Sequence, residues 1–385
     1  MNEAAGSREG GSGGTATLTF RGGGWLVVAT LLVVLLVAGW GLAGVFFGRH
    51  PVGDGHTVES YGFQLQSLRV PAADLVASGK PRDFLPTLDH PTVVDGREIS
   101  NINEARGRPV LVNTDRVLGV VVRGTARAYP LRILQAHEVA NDKIAGVPVA
   151  VTYSPLCDCA MVFERVVAGR TLRFGISGLL LRSNLVMYDR DEAPAHVPSL
   201  WSQLGMGAIS GPLAGTPLVP LPGVSLTTWA AWLGQHPDTE VILPDPDSAR
   251  RYPAISYARY FLARSLEFPV TPLPPPALLQ DAGLHLKSPV VAISAAGPQG
   301  PWGVVPLSRL LAAAPDGTCE WLAPDGRPLR GLVTRDPAGA LLMRVGEEPL
   351  MVPCLWFAWF AFHPDAVPTD VPGAPPSQEP SQSTR

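Results

Sequence analysis

Charge is scarce in this chain. Asp, Glu, Lys and Arg make up 16% of its 385 residues and leave a formal net charge of −3, against roughly 25% charged residues in an ordinary soluble protein. No basic footprint exists, so nucleic acid is excluded as an expected partner. Cysteine is sparse too: there are four residues and no C-x-x-C pair. H-E-x-x-H, the P-loop and G-x-S-x-G are also missing, which removes the common hydrolase and nucleotide-binding signatures. What is abundant is Gly and Pro, 40 of each. That composition favours short strands and turns over long helices. Hydrophobic residues at 46% exclude a fully disordered chain and leave enough apolar mass for a sizeable core.

The one long apolar run is Trp25 to Phe47, which carries no charge. As a helix it would span roughly 34 Å, enough for a hydrocarbon layer of about 30 Å. It is longer than the apolar core of a cleaved signal peptide, and no A-x-A-like site follows it. The expectation is a single-pass anchor over 25–47 in the cell membrane. Arg8 and Arg21 before the run and Arg49 after it orient it weakly. The body is expected on the extracytoplasmic side.

Residues 1–24 are Gly/Ser-rich and 367–385 are Pro/Ser-rich; both read as disordered tails. Between them the sequence repeats. Trp229-x-x-Trp232-x-x-x-His236-Pro237-Asp238 recurs as Trp356-x-x-Trp359-x-x-x-His363-Pro364-Asp365. Upstream, 120–134 resembles 291–311: each reads as a strand hairpin followed by a Pro that opens a helix. The expected fold class is α+β, a β-rich body of two related units behind the transmembrane helix. The expected segments are a linker and lead-in at 51–109, a first unit at 110–240, a Pro-rich connector at 241–284 and a second unit at 285–366. The Trp pairs, at i and i+3 on one helix face, read as core.

Chemistry-bearing residues concentrate in the first unit. From Pro130 the sequence predicts a helix running to Asp142, with Leu131, Leu134, His137, Glu138 and Asn141 on one face. The second unit has Ala312-Ala313-Ala314 at the matching place, so the polar face belongs to a site or to a structural His–Glu pair. Cys157 and Cys159 form a C-x-C, which is a soft-metal or redox element, or two inert buried thiols. Cys319 and Cys354 are expected to pair as a disulfide outside the cell. Ser177, Ser183, Tyr188, Asp189, Trp201 and Gln203 form a dense polar set for contacting a ligand.

In order along the chain come ARAYPLRIL, HEVAND, PLC-x-x-A, FGISGLL, LVMYDR, SLWSQ and GPLAGTPL. They resemble the prokaryotic family called domain of unknown function 3179, and WFAWFAFHPD looks like that family's C-terminal end. The resemblance covers roughly 80–367 and implies no reaction, because the family's biochemical role is not established. Two departures stand out. The family's C-P-L-C-G-T/S is Ser154-Pro155-Leu156-Cys157-Asp158-Cys159 here, and its Y-N-S-D-L is Leu181-Arg182-Ser183-Asn184-Leu185.

Three functions fit these residues. The leading one is a membrane-anchored domain binding copper or zinc through His137, Glu138, Cys157 and Cys159. A second is an enzyme with Cys157 as nucleophile, His137 as base and Glu138 or Asn141 orienting that base, which predicts a thiol titrating below about pH 8. The third is a non-catalytic module that binds an unidentified ligand through the set 177–203.

Overall fold

The computed structural model describes Trp25, residues 29–35 and residues 52–369, except 108, 192, 194, 249–251, 253–256, 295, 314–317, 323–327, 336–340 and 346–348. Two compact units result, Met1–Pro51 and Val52–Arg385. In the first, Trp25 and residues 29–35 are helical. Its apolar side chains stand in the open, with Leu31 at 56% and Leu35 at 63% exposure. Among the described residues no helix is long and apolar enough to cross a membrane, and most of the expected 25–47 span lies outside those residues.

The second unit is α+β with a β-rich body. One sheet runs in the order β15 (Val224–Thr228), β4 (Arg116–Val122), β5 (Thr125–Pro130), β16 (Glu240–Ile242) and β3 (Val93–Asp95). A second runs β2 (Leu88–Asp89), β6 (Val139–Ile144), β7 (Val147–Ser154) and β8 (Cys159–Glu164). A third runs β1 (Leu75–Ala77), β11 (Arg173–Leu181), β12 (Asn184–Arg190), β13 (Leu200–Ser202) and β14 (Gly207–Ser210). A ribbon of β9 (Val166–Val167) and β10 (Arg170–Thr171) precedes β11. Four of the hairpin loops have two residues: Arg123-Gly124, Ala145-Gly146, Ala168-Gly169 and Arg182-Ser183. All eight residues have positive φ, the turn whose twist matches that of paired strands.

Towards the C-terminus, β18 (Gly303–Pro306), β17 (Pro289–Ser294) and β22 (Leu350–Leu355) form one sheet. β19 (Thr318–Leu322), β20 (Pro328–Arg335) and β21 (Leu341–Val345) form another. The helices of this unit are short: α1 (Ile99–Arg106), α2 (Leu131–His137), α3 (Trp229–Gln235), α4 (Ala258–Leu262), α5 (Pro276–Ala282), α6 (Leu307–Ala313) and α7 (Trp356–Phe362).

Two places in this unit have matching registers. Val117 of β4 lies opposite Pro130 on one side and Thr227 on the other, and α2 and α3 begin at Leu131 and Trp229. Val290 of β17 lies opposite Pro306 and Cys354, and α6 and α7 begin at Leu307 and Trp356. Each Trp-bearing helix ends with a His ring 4.1 Å from the second Trp, His236 on Trp232 and His363 on Trp359. The Trp residues are core, as their spacing predicts: Trp229, Trp232, Trp356 and Trp359 are all buried.

Three expectations need correction here. The helix from Pro130 stops at His137 instead of running to Asp142. Glu138 takes the left-handed conformation (φ 55°, ψ −29°), and its N–H closes on the Leu134 carbonyl at 2.6 Å. Residues 139–144 then pair along their whole length with β7, so Asn141 is a strand residue. Residues 51–109 are no mere lead-in, since Tyr61 and Leu75 are buried and β1 completes the third sheet. Nor is 241–284 only a connector: it carries α4 and α5, and buried Val270 belongs to the main core.

That core joins the parts of the body. Phe163 of β8, Phe174 of β11 and Trp201 of β13 pack in one cluster with Trp356, Phe357 and Trp359 of α7. A second cluster gathers Leu118, Tyr129, Leu134 and Val151.

Candidate functional site

The site is built on the residue that ends α2. A non-glycine residue in the left-handed region costs on the order of 1 kcal/mol or more, and such strain gathers at functional positions. Glu138 is held there from both sides: its N–H bonds to Leu134 O, and its own carbonyl accepts from Tyr153 N at 2.8 Å. Its side chain lines a cavity of about 240 Å3, and among the described residues none hydrogen-bonds to it. Leu156, in the short turn before Cys157, shares the cavity lining.

One wall comes from β11. Its register breaks between Ile176 and Leu180, and Gly178 at φ 80° makes the bulge. A Cβ there would sit 2.4 Å from the Tyr61 ring and 2.9 Å from the Lys80 carbonyl. Ser177 secures the bulge: its hydroxyl donates to Val186 O and accepts from Leu179 N at 3.0 Å. The lining is also aromatic. Tyr257 and Tyr260 at α4 contribute to it with Phe268, and Phe84 reaches it from the loop after β1. The Tyr260 hydroxyl donates to Leu156 O at 2.9 Å. Lys287 pins this wall by donating to the carbonyls of Tyr260 and Ala263 at 2.5 and 2.9 Å. Lys80 and Glu267 line the cavity as exposed residues.

Burial dominates the electrostatics. It pushes the Glu138 carboxyl up to about 8, so the group is mostly protonated at neutral pH. Burial also raises the Tyr257 phenol, and the Glu138 charge adds to that. The nearest strong ion pair is self-contained: Asp158 accepts from Arg116 at 2.9 Å and from Tyr153 at 2.7 Å. The cavity therefore combines largely apolar walls with a carboxyl that burial keeps protonated, the pattern of a small-molecule site.

The other expected ligands and catalysts do not join Glu138 in a shared centre. His137 is fully buried, and both ring nitrogens are engaged. Nδ1 donates to Pro86 O at 2.5 Å, and Nε2 accepts from the Tyr252 hydroxyl at 3.0 Å. It is the structural member of the His–Glu pair. Cys157 is buried and donates to Ser183 O at 3.3 Å. Burial pushes its thiol up to about 12, the opposite of the low value that a nucleophile needs. Cys159 and Cys354 are buried thiols raised still further by burial. Cys354 is free, which corrects the expected pairing with Cys319. Among the described residues, no three His, Cys, Asp or Glu side chains converge to hold a metal ion. The set His137, Glu138, Cys157 and Cys159 is therefore not assembled as a copper or zinc site.

The polar set 177–203 is interior, not a contact surface. Asp189 Oδ1 accepts from Ser199 N and Trp201 Nε1, both at 2.8 Å, and Oδ2 faces His196 Nε2 at 3.1 Å. Gln203 donates to Thr152 Oγ1 and Cys159 O and accepts from Asn184. Tyr188 donates to Asp83 at 2.5 Å beneath the Arg82 guanidinium. Ser183 closes the β11–β12 turn at φ 65°. Of this set Ser177, through the bulge, and Ser183, whose hydroxyl donates to the carbonyl of the lining residue Phe268 at 3.5 Å, bear on the cavity. Asn141 ties β6 to β11 by exchanging hydrogen bonds with the Phe174 backbone at 2.9 Å. Sequence reasoning missed Tyr257, Tyr260, Phe84 and Phe268. The available signal was Y-x-x-Y-F within an otherwise Pro-rich stretch.

No curated protein and no solved structure matches this chain. A family model described as "Protein of unknown function (DUF3179)" matches residues 82–311. The matched stretch contains α2, Glu138, the β11 bulge and the aromatic wall, and it stops before α7. Since it spans more than half of the sequence, the chain belongs to the DUF3179 family.

Proposed function

We propose that this protein is a membrane-tethered module that binds a small, largely apolar molecule in the Glu138 cavity, with its body on the extracytoplasmic side. The observation that carries the reading is the Glu138 carboxyl, strained at its backbone, unpartnered, and placed on an apolar cavity. Buried polar groups usually find partners; the Ser78 hydroxyl, which lines the same cavity, also has none among the described residues, and a bound guest would supply one to both. At 240 Å3 the cavity falls below the 300–1,000 Å3 of sites for drug-sized ligands. The guest is therefore small. The thiols, raised and buried, favour binding over Cys-dependent catalysis.

The tether rests on the uncharged run 25–47 and on the exposure of apolar Leu31–Leu35 in the helical residues. An apolar helix exposed on all sides requires cover, and a bilayer supplies it. The body is read as two related units. The matching registers around Val117 and Val290 and the two Trp–His helix ends support this. In this reading the first unit supplies Glu138 and the β11 bulge, and the flanking segments 51–109 and 241–284 complete the lining.

The test is calorimetric titration of the full chain with benzyl alcohol, a neutral probe that fits the volume. Saturable one-site binding that Leu180→Trp lowers at least tenfold is the expected result. Absence of binding, or equal binding by the filled variant, overturns the proposal.

A further inference from the structure

We infer that the guest of the Glu138 cavity is an organic cation, an ammonium group carried on a small apolar body. This rests on the cavity reading above and names the ligand's chemical class. Three features of the lining point to it. First, the lining supplies two carboxylates, Glu138 within and Glu267 as an exposed residue, against the single exposed amine of Lys80. Second, the lining includes the aromatic rings of Phe84, Tyr257, Tyr260 and Phe268, and aromatic faces attract cations. One of them already holds a cation in that way: the Lys287 Nζ sits 3.5 Å from the Tyr260 ring centroid. Lys287 is not among the lining residues, whereas Tyr257 is and feels the Glu138 charge. Third, among the described residues the lining has no arginine, and Lys80 is its one basic side chain. A carboxylate or phosphate guest would meet Glu138 without a partner.

The neighbouring groups settle how pH acts. The Tyr257 phenol and the Cys157 thiol feel the Glu138 charge; Lys80 and Glu267 line the same cavity, with the Glu267 charge acting on Tyr260 and Lys287. Tyr257 and Cys157 stay neutral to high pH because burial raises both. Glu138 is thus the group that changes charge between pH 7 and 9. A cation binds its ionised form. Below about 8 the carboxyl must first lose its proton, so binding of a permanent cation strengthens about tenfold from pH 7 to pH 9 and then levels off.

The experiment titrates the full chain with four probes at pH 7, 8 and 9: benzyl alcohol, benzylammonium, benzyltrimethylammonium and phenylacetate. The expected result is that both cations bind at least about tenfold tighter than the alcohol at pH 9 and that phenylacetate binds weakest. Only the cations should gain affinity with pH. In Glu138→Gln the ratio of cation to alcohol affinity should fall to near one. Should that variant not fold, the pH series on the native chain decides alone. Equal binding of cation and alcohol, or a preference for phenylacetate, overturns the ligand class and leaves the cavity reading standing. Failure of all four probes removes the cavity reading itself.

Discussion

Glu138 should tilt the stability of the whole fold against pH. Its ordinary value is 4.5 and burial carries it up to about 8, so between those limits the folded chain holds a proton that the unfolded chain releases. An acid raised in this way stabilises the fold fully below pH 4.5 and loses that contribution as pH climbs through 8. At ~1.4 kcal/mol per pH unit, the loss between pH 5 and pH 8 is about 3.5 kcal/mol for this one side chain. That is a large part of the 5–15 kcal/mol by which domains are usually stable. Other groups titrate in the same interval. The informative quantity is therefore the difference between the native chain and Glu138→Gln, whose amide has a similar shape and no charge. Guanidinium unfolding of both chains at pH 5, 6.5 and 8 measures it. The variant should gain on the native chain by about 3–4 kcal/mol over that range. Parallel pH profiles would refute the reasoning, because they would mean that Glu138 is ionised and well solvated in the folded state.

Further outcomes follow from the same structure. His363, stacked on Trp359, is lowered by burial from 6.5 to about 4. Its contribution is complete above pH 6.5 and disappears as pH falls through 4, about 3 kcal/mol in all; His363→Phe should flatten that acid limb in the same unfolding series. Gly119 leaves room for Trp232, and a Cβ there would lie 2.3 Å from the indole. Gly119→Ala should therefore cost about 1–3 kcal/mol, read as a lowered melting temperature, and an unchanged value would contradict the packing. Cys157 should resist a thiol reagent in the folded chain at pH 8 and react on unfolding. Rapid stoichiometric labelling of the folded chain would restore the nucleophile reading.

Local signals in the sequence were legible where a single mechanism decides the outcome. Pro130 opens a helix, and Trp229 and Trp232 are core because an i, i+3 pair of large apolar rings must be buried. The run from Glu138 to Asp142 reads as helix because its residues tolerate one, and only the pairing of β6 with β7 ends it. Propensity is a weak prior against a full ladder of cross-strand bonds. The same turn separates the site from its presumed partner. His137 and Glu138 are adjacent, yet one is locked between Pro86 and Tyr252 and the other lines the cavity. The polar set 177–203 reads as a surface because composition does not reveal that Trp201 donates to Asp189 and that Gln203 is matched by Thr152 and Asn184 in the interior. The aromatic wall was hidden by distance: Tyr257 and Tyr260 lie more than a hundred residues from Glu138, in a stretch that reads as a linker by composition.

The central claim is that Glu138 is a neutral acid in a ligand cavity at physiological pH. Infrared difference spectroscopy of the full chain, native minus Glu138→Gln, tests it most directly through the carbonyl stretch of a protonated carboxylic acid. The account predicts that this band is present at pH 7, fades around pH 8 and vanishes at pH 7 when benzyltrimethylammonium is added. A difference spectrum with only carboxylate bands at pH 7 would contradict it.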